Sequence, residues 1–261
     1  MRVIVVNVNT TESVSRAIHL QATRYAAPDT QIDTVTPFFG PRSVQDDFES
    51  QISAVAVIDR VAAIEGPFDA VIEAGFGENA RPGLQSLLSV PVIGITDAAA
   101  TTAALLGRRF SVITTVRSTV PQIEERLLVN GLGSRCCSIR ATDLGVLDIE
   151  HDVRAATTEI VSQAQAAVRD DHADVICLGC AGMVGLEDSV AASVPVPVVD
   201  GVSAAVKIAE SLHALQLRPQ SAPPIHAREL AVDRWPLHRY LHTSNAGRAQ
   251  MNAGGLEGAG T

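Results

Sequence analysis

The 261-residue chain contains 46% hydrophobic and 19% charged residues, which is typical of a globular protein with one large or two small domains. Its formal net charge of −9 argues against nucleic acid and anionic membrane as partners, because both require clustered Lys and Arg. Aromatic residues make up only 3%, too few for a site that depends on stacking against bases.

The first apolar run is too short for a signal peptide, and no apolar run is long enough to span a membrane, so we expect a cytoplasmic protein. The cysteines at 136, 137, 177 and 180 are expected to be reduced thiols. Cys177 and Cys180 have C-x-x-C spacing, but no second ligand pair accompanies them. We therefore predict no metal site.

Short Val- and Ile-rich runs alternate with helical patterns along most of the chain. Helical periodicity is clear in residues 13–27 and 153–168. Alternation of this kind predicts an α/β fold with mostly parallel sheets that helices cover on both faces. The predicted strands are 3–7, 31–34, 70–74, 92–95, 110–114, 135–140, 174–179 and 196–199.

The two halves of the chain resemble each other. Residues 70–107 and 175–212 each contain a strand, a Gly-containing turn, a short helix, a Val-Pro-Val strand and an Ala-rich helix. We predict two pseudo-symmetric lobes, one formed by residues 1–98 plus 202–217 and the other by 99–201. The active site is expected in the cleft between them, at the carboxyl ends of the strands. The Pro-, Gly- and Ala-rich segment 218–261 is predicted to be a C-terminal tail.

Cys180 follows the predicted strand 174–179 and precedes a helix predicted near 184–192. A helix N-terminus favours thiolate over thiol, so this position predicts a reactive cysteine. The alternative is that Cys180 is only a small residue that fills a tight turn. Cys177 lies within the strand and is expected in the core. Asp200 at the end of the last strand is expected either to orient a loop or to cap the final helix.

Small polar residues follow the first strand of each half, at Asn9 and Thr10 and at Thr114 and Thr115. These residue types cap helices, but two clusters at matched strand ends also predict binding of a small anionic or imide substrate, together with nearby backbone N–H groups. No dinucleotide-binding, phosphate-loop or G-x-S-x-G motif occurs. The predicted substrate-binding residues are Asn9, Thr10, Phe76, Gly77, Thr114, Thr115, Ala181 and Gly182.

Seven stretches resemble the aspartate/glutamate/hydantoin racemase superfamily, and within it the hydantoin and allantoin racemases. They are "VNVNTTES", "FFGPRSV", "PVIGITDAA", "LGRRFSVITT", "RCCSIRATDLGVLDI", "VICLGCAGM" and "PVVDGVSAAVKIAE", in order over residues 1–216. The resemblance implies a homo-oligomer that needs no cofactor and moves a proton at a carbon next to a carbonyl. It also implies two cysteines on opposite sides of the substrate. The second corresponds to Cys180, but the first corresponds to Gly75, where family members usually read A-C-F-G.

Gly75 leaves three hypotheses open, because inversion requires proton exchange on both faces of the carbon. In the favoured one the protein is a racemase or epimerase of a hydantoin-, allantoin- or amino-acid-like compound, and Glu73 or Glu78 replaces the missing thiol. In the second, Cys180 serves one face alone, as in a decarboxylase that resembles the superfamily's arylmalonate decarboxylases. In the third, the protein binds a small ligand without converting it.

Overall fold

The computed structural model describes residues 1–77 and 80–220. Most of the predicted C-terminal tail, from position 221 onward, lies outside the described residues, and so does Glu78. None of the helices within the described ranges has both the length and the apolar character needed to cross a membrane.

Two four-stranded parallel sheets form the core of the fold. The first has the order β2-β1-β3-β4 and the second the order β6-β5-β7-β8, so the halves repeat one topology and confirm the predicted α/β class. The strands are β1 Arg2–Asn7, β2 Gln31–Val35, β3 Ala70–Ala74, β4 Val92–Gly94, β5 Phe110–Thr114, β6 Cys136–Ala141, β7 Val175–Leu178 and β8 Val198–Asp200.

Helices cover both faces of each sheet, which explains why the strands are continuous apolar runs rather than alternating patterns. Val5 of β1 packs towards Ile18 on one face, whereas Val6 packs towards Val57 on the other. Cys177 is fully buried in β7, as predicted. The helices are α1 Glu12–Tyr25, α2 Asp47–Ala62, α3 Arg81–Leu87, α4 Ile95–Leu106, α5 Val120–Val129, α6 Val146–His151, α7 Val153–Asp170, α8 Glu187–Ala191 and α9 Gly201–Ala214.

Several strand boundaries differ from the prediction by one or two residues, and one predicted helix differs more. The fourth strand ends at Gly94, and Ile95 already begins α4. The helix predicted over 184–192 is instead a 3₁₀ turn, Ala181–Met183, followed by the short α8. Gly185 separates the two with a φ of +84°, a left-handed conformation that favours glycine and interrupts a right-handed helix. Asp200 caps α9 as predicted, since its side chain accepts a hydrogen bond from the Ser203 N–H at 2.7 Å.

Candidate active site

The carboxyl ends of strands from both sheets converge on one cavity of about 60 Å³. β1 and β3 contribute from the first sheet, and β5 and β7 from the second. This is where ligands bind in open parallel sheets. Of the residues predicted for the site, the lining includes Asn9, Gly75, Phe76, Gly77, Thr114, Thr115, Cys180, Ala181 and Gly182.

Cys180 lies half-buried at the second sheet's side of the cavity, directly after β7. Its Sγ accepts a hydrogen bond from the Gly182 N–H at 3.3 Å. Burial raises the pKa of this thiol above its ordinary value, although hydrogen bonds from the Gly182 N–H and the Thr115 side chain act in the opposite direction. At neutral pH the resting form is therefore the thiol.

The resting thiol corrects the expectation that a helix N-terminus keeps Cys180 ionised. The residue caps only the three-residue turn Ala181–Met183, and the next helix begins at Glu187, beyond Gly185. A single turn contributes little of the macrodipole that would favour a thiolate. Desolvation of the sulfur consequently outweighs the nearby donors.

Asn9 is held in a fixed orientation at the end of the first strand. Its Oδ1 accepts hydrogen bonds from the Thr11 N–H at 2.9 Å and from Nδ2 of Asn7 at 3.0 Å. The side-chain oxygen is thereby occupied, and the amide N–H groups are what Asn9 can offer to a ligand in the cavity.

Two predicted substrate donors have other partners. Thr10 does not line the cavity: its hydroxyl and its N–H both donate to the Pro41 carbonyl, at 3.2 and 3.0 Å. Gly77 lines the cavity, but its N–H donates to the Thr96 hydroxyl at 2.8 Å. Neither N–H is available to a substrate in this arrangement.

Thr114 and Thr115 have different roles, one in the local structure and the other at the site. The Thr114 hydroxyl donates to the Gly179 carbonyl at 3.3 Å, which joins the ends of β5 and β7. The Thr115 side chain, in contrast, hydrogen-bonds Cys180. Thr114 therefore supports the shape of the site, whereas Thr115 acts on the electrostatics of the thiol.

The place of the missing first cysteine is filled by Val8. A Cβ added at Gly75 would lie 2.5 Å from Cγ1 and 2.9 Å from Cγ2 of Val8, far inside van der Waals contact. Val8 itself lines the cavity, and its carbonyl accepts a 2.5 Å hydrogen bond from the Ser53 hydroxyl. Sequence reasoning missed this residue. Its only signal is one apolar side chain within the polar run that follows β1.

Glu73, a buried residue of β3 in the first sheet, also belongs to the cavity lining. Only 1% of the residue is exposed. Its Oε1 accepts a hydrogen bond from the Ala80 N–H at 3.0 Å, at the start of α3, whereas its Oε2 has no partner among the residues that the structure describes. Burial raises the pKa of Glu73 from 4.5 to about 7.

Sequence and structural comparisons agree on the relatives of this chain. The family model described as Asp/Glu/Hydantoin racemase matches residues 3–209. A crystal structure of allantoin racemase from Pseudomonas fluorescens is 52% identical, with a TM-score of 0.86 over 88% of this chain and all of that one. Allantoin racemase from Klebsiella pneumoniae is 35% identical, with a TM-score of 0.82, over 84% of this chain and 90% of that one. A hydantoin racemase from Pseudomonas sp. (strain NS671) is 35% identical over 213 residues, 81% of this chain and 86% of the relative.

Proposed function

This chain belongs to the Asp/Glu/hydantoin racemase family, and we propose that it inverts the stereocentre of a 5-substituted hydantoin, with allantoin as the first candidate. Allantoin is itself a hydantoin ring with a ureido group at C5. The proposed activity is the one in the names of the relatives of this chain. It is supported by 52% identity to an allantoin racemase along the whole length of that protein.

The chemistry of the ring suits the cavity. The hydrogen at C5 is acidic because C5 is bonded to a ring carbonyl carbon, and its removal leaves an enolate whose charge rests on the carbonyl oxygen. Hydrogen-bond donors placed at that oxygen stabilise the enolate. Asn9 and Thr115 are the side chains in the described lining that we propose for contacts to the ring.

The observation that carries the proposal is the position of Cys180. Its half-buried thiol lines the cavity where the ends of the two sheets meet, and no other cysteine belongs to the described lining. We propose that this thiol exchanges a proton with C5 on one face of the ring. Proton transfer between a side chain and a carbon acid needs no redox or electron-sink chemistry, so the proposed reaction is independent of a cofactor.

The test starts from separate (R)- and (S)-allantoin and from 5-methyl- and 5-benzylhydantoin. Circular dichroism follows loss of optical activity, with the uncatalysed rate subtracted, and NMR in D₂O follows deuterium at C5. We expect catalysed loss of optical activity with at least one of these compounds, and no loss of rate after dialysis against EDTA. A wild-type protein that binds them without exchange or inversion would contradict the proposal.

One observation favours a second candidate. Glycine at position 75 removes the usual second thiol, and chemistry on one face requires only Cys180. A decarboxylase of an aryl-substituted malonate would fit, since the carbanion left by CO₂ needs one proton. Release of CO₂ from such a malonate, with a single enantiomer of the product acid and no exchange at hydantoin C5, would favour this candidate over the racemase.

A further inference from the structure

Two groups in the described lining of the cavity are suited to proton transfer with a carbon acid, and they lie on different sheets. Cys180 follows β7 of the second sheet, and Glu73 belongs to β3 of the first. The other described lining residues are apolar, glycine, amide or hydroxyl side chains. The described lining therefore supplies one thiol and one carboxyl-bearing residue, each from a different sheet.

The surroundings of Glu73 are unusual for a purely structural residue. Its strand neighbours Val71, Ile72 and Ala74 are apolar and buried, as expected for a central parallel strand. At the start of α3 the Ala80 N–H donates to Oε1 at 3.0 Å and the Arg81 N–H also acts on the carboxyl group, and an amide oxygen could accept the Ala80 bond in the same way. Oε2 is buried and has no partner within the described part of the chain, which native proteins rarely tolerate without a reason.

The steric relation between Val8 and Gly75 gives independent support. Because Val8 occupies the space that a side chain at position 75 would need, the second proton carrier must lie elsewhere on this side of the cavity. Glu73 precedes Gly75 by two residues, and both belong to the cavity lining where β3 ends at Ala74.

We propose that Glu73 is the second acid/base residue, which exchanges the proton on the face of the substrate opposite Cys180. The inference rests on the proposed racemase function and adds the group that Gly75 cannot supply. Inversion requires one group that accepts a proton while the other donates one, and a carboxylate facing a thiol meets this requirement in the resting state.

The steps balance in protons and electrons. The Glu73 carboxylate takes the C5 proton, the C–H electron pair passes into the enolate, and the Cys180 thiol then donates its proton to C5 from the other side. The products are the opposite enantiomer, a Glu73 carboxylic acid and a Cys180 thiolate. That form of the enzyme converts the second enantiomer by the reverse steps, or returns to the resting state by proton exchange with water.

The protonation states support this order of events. The pKa of Glu73 is raised to about 7, so the carboxylate is accessible at neutral pH, while the pKa of Cys180 is raised above its ordinary value and keeps the thiol protonated. The charged groups that act on Glu73 are Arg81 of α3 and Asp97 of α4, which form an ion pair with each other at 2.5 Å.

The decisive variant is Glu73→Gln, which keeps the shape and the oxygen that caps α3 but cannot exchange a proton with carbon. Glu187→Gln is the matched control, because Glu187 is also buried, with no partner for its Oε2 among the described residues, but does not belong to the cavity lining. Each variant is tested in D₂O with single enantiomers of a hydantoin that the wild-type protein converts. Thermal unfolding and ligand binding are measured in parallel.

We expect Glu73→Gln to lower the rate of inversion at least 100-fold with binding retained, and any remaining deuterium exchange to be confined to one enantiomer. Glu187→Gln should stay within twofold of wild type. Wild-type kcat/KM should fall below about pH 7 as Glu73 becomes protonated. If Glu73→Gln inverts at the wild-type rate while Cys180→Ala does not, the proposed function stands and the role of Glu73 is overturned. If the wild type inverts nothing, both fail together.

Discussion

Val8 and Gly75 share one space: the side chain of the first lies where a Cβ on the second would be, with a separation of 2.5 Å from Cγ1. The backbone of Gly75 is not left-handed, so space rather than strain decides what position 75 tolerates. The absence of a second thiol is thus coupled to a neighbouring residue, and restoring the thiol requires a change at both positions.

Gly75→Cys alone is expected to destabilise the protein by about 1–3 kcal/mol, because β-branched Val8 has few rotamers into which it can withdraw. Val8→Ala with Gly75→Cys should recover part of that loss and should show faster inversion than Val8→Ala alone. Urea unfolding and circular dichroism of a hydantoin substrate measure the two effects. Strictly additive stability changes in the double variant would show that Val8 does not block the position.

Thr115→Val is expected to raise the pKa of Cys180 further, because it removes a hydrogen bond that favours the thiolate. The rate of alkylation of Cys180 by iodoacetamide, followed against pH with the other cysteines mapped by mass spectrometry, measures this shift. Thr115→Ser keeps the hydroxyl and should return the profile towards wild type. Identical profiles for the valine and serine variants would refute a direct contact between the hydroxyl and the sulfur.

Burial of Glu73 predicts a specific pH dependence of stability. Its pKa is raised from 4.5 to about 7 in the folded protein, so the folded state binds the proton more tightly than the unfolded chain. Stability relative to Glu73→Gln should therefore fall as pH rises from about 4.5 to 7, by roughly 3 kcal/mol in total, and then level off. Urea unfolding of both proteins across this range provides the measurement. If the free energies of unfolding of the two proteins change in parallel with pH, Glu73 ionises as easily in the folded protein as in the unfolded chain.

Asp97 at the start of α4 joins helices that flank both sheets. It pairs with Arg81 of α3 at 2.5 Å and with Arg126 of α5 at 2.8 Å, and all three side chains are at most 22% exposed. Asp97→Ala should cost about 3 kcal/mol, since it leaves two guanidinium groups without this carboxylate. The control is Arg117→Ala, because its exposed pair with Asp143 should be worth under about 1 kcal/mol. Equal losses in the free energy of unfolding for the two variants, measured with urea, would contradict the expected difference between the two sites.

The fold was predictable because the strands and helices carry distinct apolar patterns. Strands covered on both faces, such as Val175–Leu178, are continuous apolar runs, and the two halves repeat the same order. The end of β4 was not predictable, because the apolar run "VIGI" continues from the strand into the first residue of the helix and gives no change of pattern at the boundary. Gly185 divides the segment 184–192, which was predicted to be one helix. The apolar periodicity of the segment does not reveal this break, although the glycine itself indicates it.

The candidate site was predictable in its location but not in its contacts. Parallel topology places the residues after β1 and β3 at one edge of the first sheet and those after β5 and β7 at one edge of the second. The expected cleft between the two halves then brings Asn9 and Cys180 to the same cavity. The bond from Thr10 to Pro41 and the packing of Val8 against Gly75 depend on how the loops pass through space. The spacing of residues along the chain does not predict the paths of those loops.

The most direct test of the account is deuterium incorporation at C5 of a single hydantoin enantiomer, measured by NMR in D₂O for wild type and for Cys180→Ala. We expect exchange with inversion in the wild type, and loss of both in the variant while the fold and ligand binding persist. Deuterium incorporation and inversion at the wild-type rate in Cys180→Ala would contradict the claim that this sulfur carries the proton.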